Sequence, residues 1–151
     1  MGFVFPDWLD RNDVRILSAE GQYLYELASK AKQAVVEIGA YKGASAICLA
    51  QGSNKVFSID LFNEQEGGDP KAPGAKSYVE EFKANLKKAR VKATPLIGYS
   101  RDIRKTFNQP IGLLFIDGNH TFKAVEEDFK LYAPLIAPGG HIALHDCARF
   151  Q

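Results

Sequence analysis

Five short apolar runs, each closing on a polar residue or a glycine, alternate along this chain with segments of helical period. The runs are 34–39, 55–60, 94–98, 111–117 and 141–146. Between and before them, apolar residues recur at helical spacing over about 14–31, 43–50, 78–89 and 122–132, with one or two turns expected over 101–107. Strands that alternate with helices predict an α/β domain with a doubly wound, mostly parallel sheet. Continuous apolar strand runs predict burial on both faces, hence a Rossmann-like sheet of about five strands with helices on each side. Such sheets hold their ligand at the carboxyl ends of the strands, near the point where the strand order reverses. The polar residues of this chain gather at those ends: Glu37 and Gly39, Asp60, Gly98 and Ser100, Asp117, and His145 with Asp146.

The 151 residues make one domain. Residues 1–32 form an N-terminal segment and helix, and 33–151 the ligand-binding domain. Lys+Arg is 19 and Asp+Glu is 18, so the net charge is 19 − 18 = +1. That balance speaks against a surface built for a nucleic-acid backbone. No apolar run reaches the roughly 18 residues that span a bilayer. The opening residues lack the basic-then-apolar pattern of a secretory signal. A cytoplasmic chain is expected, with Cys48 and Cys147 as reduced thiols. The polar stretch 61–74 reads as a loop of functional-lid length.

Four motifs carry chemistry. Glu37-Ile38-Gly39-Ala40-Tyr41-Lys42-Gly43 is a glycine-bearing strand-to-helix turn. It can present backbone N–H groups to a ligand, or the glycines can serve packing alone. Tyr41 stands where the dinucleotide fingerprint needs its second glycine, which counts against a nicotinamide site. Asp60 ends the second strand, where a carboxylate can accept ribose hydroxyls or hold a loop. Asp117 leaves the fourth strand and His120 opens the next helix, a pair able to hold a cation and a base, or to cap that helix. His145-Asp146 ends the fifth strand, so Asp117 and Asp146 converge if those strands are neighbours. His141 begins a strand and reads as structural.

Residues 36–43, Asp60, the segment Ile116-Asp117-Gly118-Asn119-His120, the stretch Leu135-Ile136-Ala137-Pro138-Gly139-Gly140, and His145-Asp146 together resemble class I S-adenosylmethionine-dependent methyltransferases. The resemblance covers about 33–146. Within that family, the Asp-Gly-Asn-His segment is similar to the small-molecule O-methyltransferases, including the macrocin- and mycinamicin-type sugar enzymes. The resemblance implies that Glu37, Gly39, Ala40, Tyr41 and Gly43 line the methionine and ribose part of the cofactor. It implies that Asp60, with Leu61, holds the ribose, that Ser100 lies near the adenine, and that Asp117 lines the same pocket. It further implies catalysis by His120 and Asp117, with magnesium on Asp117 and Asp146. His145 reads as a further metal ligand, as a partner that orients a ligand, or as a plain strand residue. The sugar enzymes carry an acidic residue where His145 stands.

Removal of a hydroxyl proton and in-line attack on a sulfonium methyl suit these parts. Tyr41 or Phe62 can face a sulfonium by cation–π contact, or belong to the core. The expected acceptor is a small hydroxylated molecule. Family members carry a closing antiparallel hairpin after strand five, which this sequence is expected to lack. That leaves strand five as an open edge, covered by a second copy or by Phe3-Val4-Phe5. The alternatives are a non-catalytic cofactor-binding fragment and, with less support, an NAD-dependent oxidoreductase.

Overall fold

The computed structural model describes residues 2–9, 16–63 and 77–146. Its elements run α1 (Ser18–Lys30), β1 (Ala34–Ile38), α2 (Ala44–Gly52), β2 (Val56–Asp60), α3 (Val79–Ala89), β3 (Thr94–Ile97), α4 (Ser100–Ile103), β4 (Ile111–Ile116), α5 (Phe122–Tyr132), a 3-10 turn (Ala133–Leu135) and β5 (Ile136–Leu144). The five strands form one sheet in the order β3-β2-β1-β4-β5. Every neighbouring pair is parallel. The expected doubly wound α/β sheet is therefore present, and the order reverses at β1.

Alternation along the two central strands feeds two cores. Val35, Leu113 and Phe115 face Leu24, Leu27, Ile47, Leu49 and Phe82 of α1, α2 and α3. Val36, Ile38, Leu114 and Ile116 face Phe107 and Tyr132 on the other side. All residues of β1 and β4 are buried, while the outer strands β3 and β5 are only partly so. Cys48 lies in the first core, fully buried. Cys147 falls outside the described residues.

Several sequence expectations need correction. The first helix starts at Ser18, not near 14, because Leu17 is extended and its N–H donates to Glu20 Oε2 at 2.6 Å. The fifth strand starts at Ile136, and Pro138-Gly139-Gly140 lies inside it as an irregularity. Its pairing jumps from Ile111↔Ile136 to Leu113↔His141, with Gly139 at φ +79°. The one or two turns expected over 101–107 are present, as the helical turn Ser100–Ile103 and the hydrogen-bonded turns that follow it. Of the loop 61–74, only 61–63 are described; Asn63 bridges to Ser77. The Phe3-Val4-Phe5 segment does not cover β5. Val4 exchanges two backbone–side-chain hydrogen bonds with Gln51 of α2, at 2.8 and 2.7 Å, and Phe3 packs on Tyr25 of α1. The outer edge of β5 is unpaired among the described residues, and Leu144 there is 43% exposed.

The sheet extends one residue past four of its strands on the site side. Gly39 N–H donates to Ile59 O, Gly98 N–H to Asp60 O, Asp117 N–H to Ile38 O, and His145 N–H to Ile116 O, at 2.8–3.1 Å. Gly39 is obligatory in this weave. It sits at φ +95°, and a Cβ there would lie 2.2 Å from the Asp117 carbonyl oxygen. Beneath it, Glu37 is fully buried on β1. Its carboxylate accepts from Ser45 Oγ of α2 at 2.7 Å and from Ser58 Oγ of β2 at 2.5 Å. Burial pushes this carboxyl up to about 7; the two serines oppose the shift, and Asp117 and Asp60 add to it.

Two predictions follow from these contacts. Gly39→Ala should cost at least about 2 kcal/mol in denaturant unfolding, since it combines backbone strain with a clash against main chain. Gly139→Ala meets nothing within 4 Å and carries only the strain of its positive φ, so it should cost about 1 kcal/mol. Equal losses would contradict the close-approach account. For Glu37, a folded pKa above the ordinary 4.5 means that the native chain keeps a proton which the unfolded chain releases. Stability should therefore fall as pH rises between 4.5 and about 7, by on the order of 3 kcal/mol from this group. Glu37→Gln should remove that share of the slope, read from urea midpoints across the window.

Candidate active site

The four knitted strand ends form the floor of one cavity of about 1640 Å³. Among the described residues its lining includes Gly39, Ala40, Tyr41, Asp60, Leu61, Ser100, Asp117, His120, His145 and Asp146. Glu37 and Gly43 are not part of that lining. Glu37 lies behind it, and Gly43 (φ +94°) opens α2 against the Phe82 ring, where a Cβ would lie 2.9 Å from Cδ2.

One wall is the β1–α2 turn. Asp60 Oδ2 accepts the N–H groups of Ala40 and Tyr41 at 2.7 and 2.8 Å, and Oδ1 accepts Phe62 N–H at 2.8 Å. The loop-holding role of Asp60 is thus real. A carboxylate offers about four acceptor positions, so three N–H donors leave room for a further donor from the cavity. Tyr41 has φ +47°, and its ring stands edge-on to Tyr78 at 5.1 Å. Lys42 Nζ lies 5.5 Å from the Tyr41 ring and pairs with Glu81 at 3.2 Å. Phe62 is core, 1% exposed and packed on Phe82 at 4.9 Å, so only Tyr41 of the two expected aromatics faces the cavity.

The next stretch of wall is the start of α4. Ser100 Oγ donates to Asp128 of α5 in a short hydrogen bond, and the Ser100 carbonyl accepts from Tyr132 OH at 2.8 Å. Burial raises the Asp128 carboxyl above its usual range. These bonds tie the Gly98–Arg101 turn to α5 and fix its place at the cavity edge.

The opposite wall is where the sequence reading was least complete. Asp117 leaves β4, and its side chain is 13% exposed. His120 Nε2 lies 3.9 Å from Asp117 Oδ1, and the ring is 43% exposed at the cavity mouth. The turn between them is set by Asn119 Oδ1 accepting Thr121 N–H at 2.9 Å, with Thr121 Oγ1 capping α5 through Ala124 N–H. His145 is nearer: its Nδ1 lies 2.9 Å from Asp117 Oδ1 and 3.5 Å from Asp146 Oδ2. Its Nε2 lies 3.4 Å from Glu20 Oε1 of α1. Burial pushes the Asp117 carboxyl above its usual range; the His145 contact opposes this, and Asp146 and Glu20 add to it.

Sequence reasoning missed Glu20. Nothing in its spacing relates the first turn of α1 to the end of β5, since only the packing of α1 over the sheet brings them together. A second, more apolar groove of about 530 Å³ runs between α1 and β5 and shares Ile16, Glu20, His145 and Asp146 with the main cavity.

The expected magnesium site does not fit. The His145 Nδ1 lies within 2.9 Å of the Asp117 carboxylate and 3.5 Å of the Asp146 carboxylate. No cluster of three or more His, Cys, Asp or Glu among the described residues could hold a metal ion. A nucleoside cofactor does fit. The cavity is larger than the roughly 300–1,000 Å³ of a single-ligand site, and the β1–α2 turn and Asp60 line it. No helix among the described residues is long and apolar enough to cross a membrane.

Comparison with known proteins agrees with this geometry. The fold is shared with cofactor-bound Rv0187 from MTB, at TM-score 0.71 and 24% identity over 90% of this chain and 58% of that one. It is shared with the O-methyltransferase TomG from Streptomyces achromogenes, solved with SAM, at TM-score 0.69 and 22% identity over 87% and 57%. An O-methyltransferase from Bacillus cereus in complex with SAH gives TM-score 0.67 and 20% identity over 87% and 58%. An uncharacterized protein of Sinorhizobium fredii, y4gI, is 25% identical over 126 residues, which is 74% of this chain and 13% of that protein. The chain thus spans less than three fifths of these solved neighbours and a small part of that relative. The family model for the methyltransferase domain matches residues 36–147, from the middle of β1 past the end of β5, and the chain belongs to that family.

Proposed function

We propose that this domain transfers a methyl group from S-adenosylmethionine to a hydroxyl of a small acceptor, with His120 as the base. The observation that carries this reading is a single cavity with the Asp60-braced glycine turn on one wall and the Asp117–His120 pair on the other. When bound, S-adenosylmethionine supplies an electrophilic methyl group on a sulfonium. The β1–α2 turn and Asp60 hold its ribose and methionine parts, and the fixed turn at Ser100 borders the adenine. Tyr41 offers the one cavity-facing aromatic of the two expected.

His120 takes the acceptor proton at Nε2 as the oxygen gains the methyl group. Asp117, 3.9 Å away, offsets the charge that arrives on the ring. The sulfonium charge is lost as the imidazolium charge appears, so charge balances across the step. Burial around Asp117 strengthens this electrostatic coupling. In this reading the partner is a small molecule, with no nucleic acid and no membrane, and a second copy of the chain pairs at the outer edge of β5. Sedimentation that finds a monomer at every concentration would remove that second copy.

A thermal-shift comparison tests the cofactor. S-Adenosylhomocysteine should stabilise the chain and NAD should not; stabilisation by NAD alone would overturn the reading. Asp60→Ala should weaken S-adenosylhomocysteine binding by roughly 10–100-fold, the loss expected for a charge-assisted hydrogen bond. On a panel of phenolic and sugar hydroxyl acceptors, His120→Ala should lower turnover by about 10²–10⁴-fold with cofactor affinity unchanged. Binding without turnover in the wild type would favour a non-catalytic cofactor-binding module.

A further inference from the structure

We infer that in this chain the imidazole of His145 takes the place of a divalent cation, bridging the carboxylates at the end of β4 and β5 and anchoring them to α1. Carboxylates from three elements converge on this one ring. Asp117 follows β4, Asp146 follows β5, and Glu20 lies in the first turn of α1. Nδ1 faces Asp117 at 2.9 Å and Asp146 at 3.5 Å, and Nε2 faces Glu20 at 3.4 Å.

The ring cannot easily leave this position. Its side chain is 14% exposed, it stands edge-on to Phe115 at 6.2 Å, and its own N–H is bonded to Ile116 O. Glu20 is fixed as well, because its second oxygen accepts the Leu17 N–H that starts α1. A nitrogen that donates to a carboxylate cannot at the same time ligate a metal, which needs a deprotonated donor. Magnesium also prefers oxygen ligands at about 2.0–2.1 Å in near-octahedral order, whereas here an imidazole nitrogen is the group set against both aspartates. The cross-link therefore does structurally what a bridging cation would do: it ties the carboxylates from three elements to one group and sets the Asp117 carboxylate that faces His120. Removing the ring would leave three carboxylates facing one another.

The test reads metal binding and ring protons rather than turnover, so its failure would leave the methyl-transfer reading intact. Wild-type protein should show no change in melting temperature between EDTA and millimolar magnesium, and no tight manganese binding by water-proton relaxation. His145→Glu removes the donor and adds a ligand. It should acquire magnesium-dependent stabilisation of roughly 3 °C or more, together with manganese binding, and both should vanish when Asp117→Asn is added. Tight manganese binding by the wild type that is lost in Asp117→Asn would overturn the inference. So would a folded His145→Glu protein that binds no metal.

Should that variant fail to fold, the ring proton decides. The wild type should show a downfield, exchange-protected His145 Nδ1 proton, absent in Asp117→Asn, and Glu20→Gln should shift the Nε2 resonance. No protected ring proton in the wild type would contradict the cross-link.

Discussion

The approach of two backbones at the centre of the sheet governs everything on the site side. Where β1 ends, Gly39 turns with a positive φ directly against the Asp117 carbonyl at the end of β4. Only a residue without a Cβ permits that contact. It lets Asp117 N–H reach Ile38 O, and with it the Asp117 side chain is delivered beside the β1–α2 turn. The reversal of strand order at β1 thus becomes a cavity with two chemically different walls. The Asp60 carboxylate then holds the turn through its N–H groups, so the β1–α2 turn is tied to the end of β2.

A second constraint is the amount of negative charge gathered at this edge. Glu37 is fully buried and braced by two serines, and its carboxyl is pushed up to about 7. Asp117 is raised as well, with His145 opposing the shift. Such groups are costly unless hydrogen-bonded or paired. Each partner here comes from a different part of the fold: Ser45 from α2, Ser58 from β2, and His145 from the end of β5. The polar contacts behind the site therefore also lock the helices to the sheet.

Much of this was legible in the sequence, for reasons that can be named. Continuous apolar runs marked β1 and β4 because both faces are buried. Polar or glycine residues at the strand ends marked the cavity edge because parallel order puts all those ends on one side. Glu37 and Gly43 were read as lining residues, yet they stand behind the cavity surface; sequence spacing gives depth along a strand but not which atoms remain open to a ligand. Gly139 and Gly140 looked like a loop before β5, because an irregularity within a strand carries the same residue types as a turn. The His145–Glu20 contact was invisible, since it depends on how α1 crosses the sheet. The resemblance also suggested a metal at a place which the geometry gives to an imidazole.

The most direct test of the central claim is a nitrogen–proton NMR titration of the chain with S-adenosylhomocysteine. The claim is that the strand-end cavity, organised by the Gly39–Asp117 approach, receives the cofactor. The account predicts the largest shifts at the amides of Gly39, Ala40, Tyr41, Leu61 and Ser100, with little change along the outer edge of β5. Shifts concentrated instead in the groove between α1 and β5, or no shifts at saturating ligand, would contradict it.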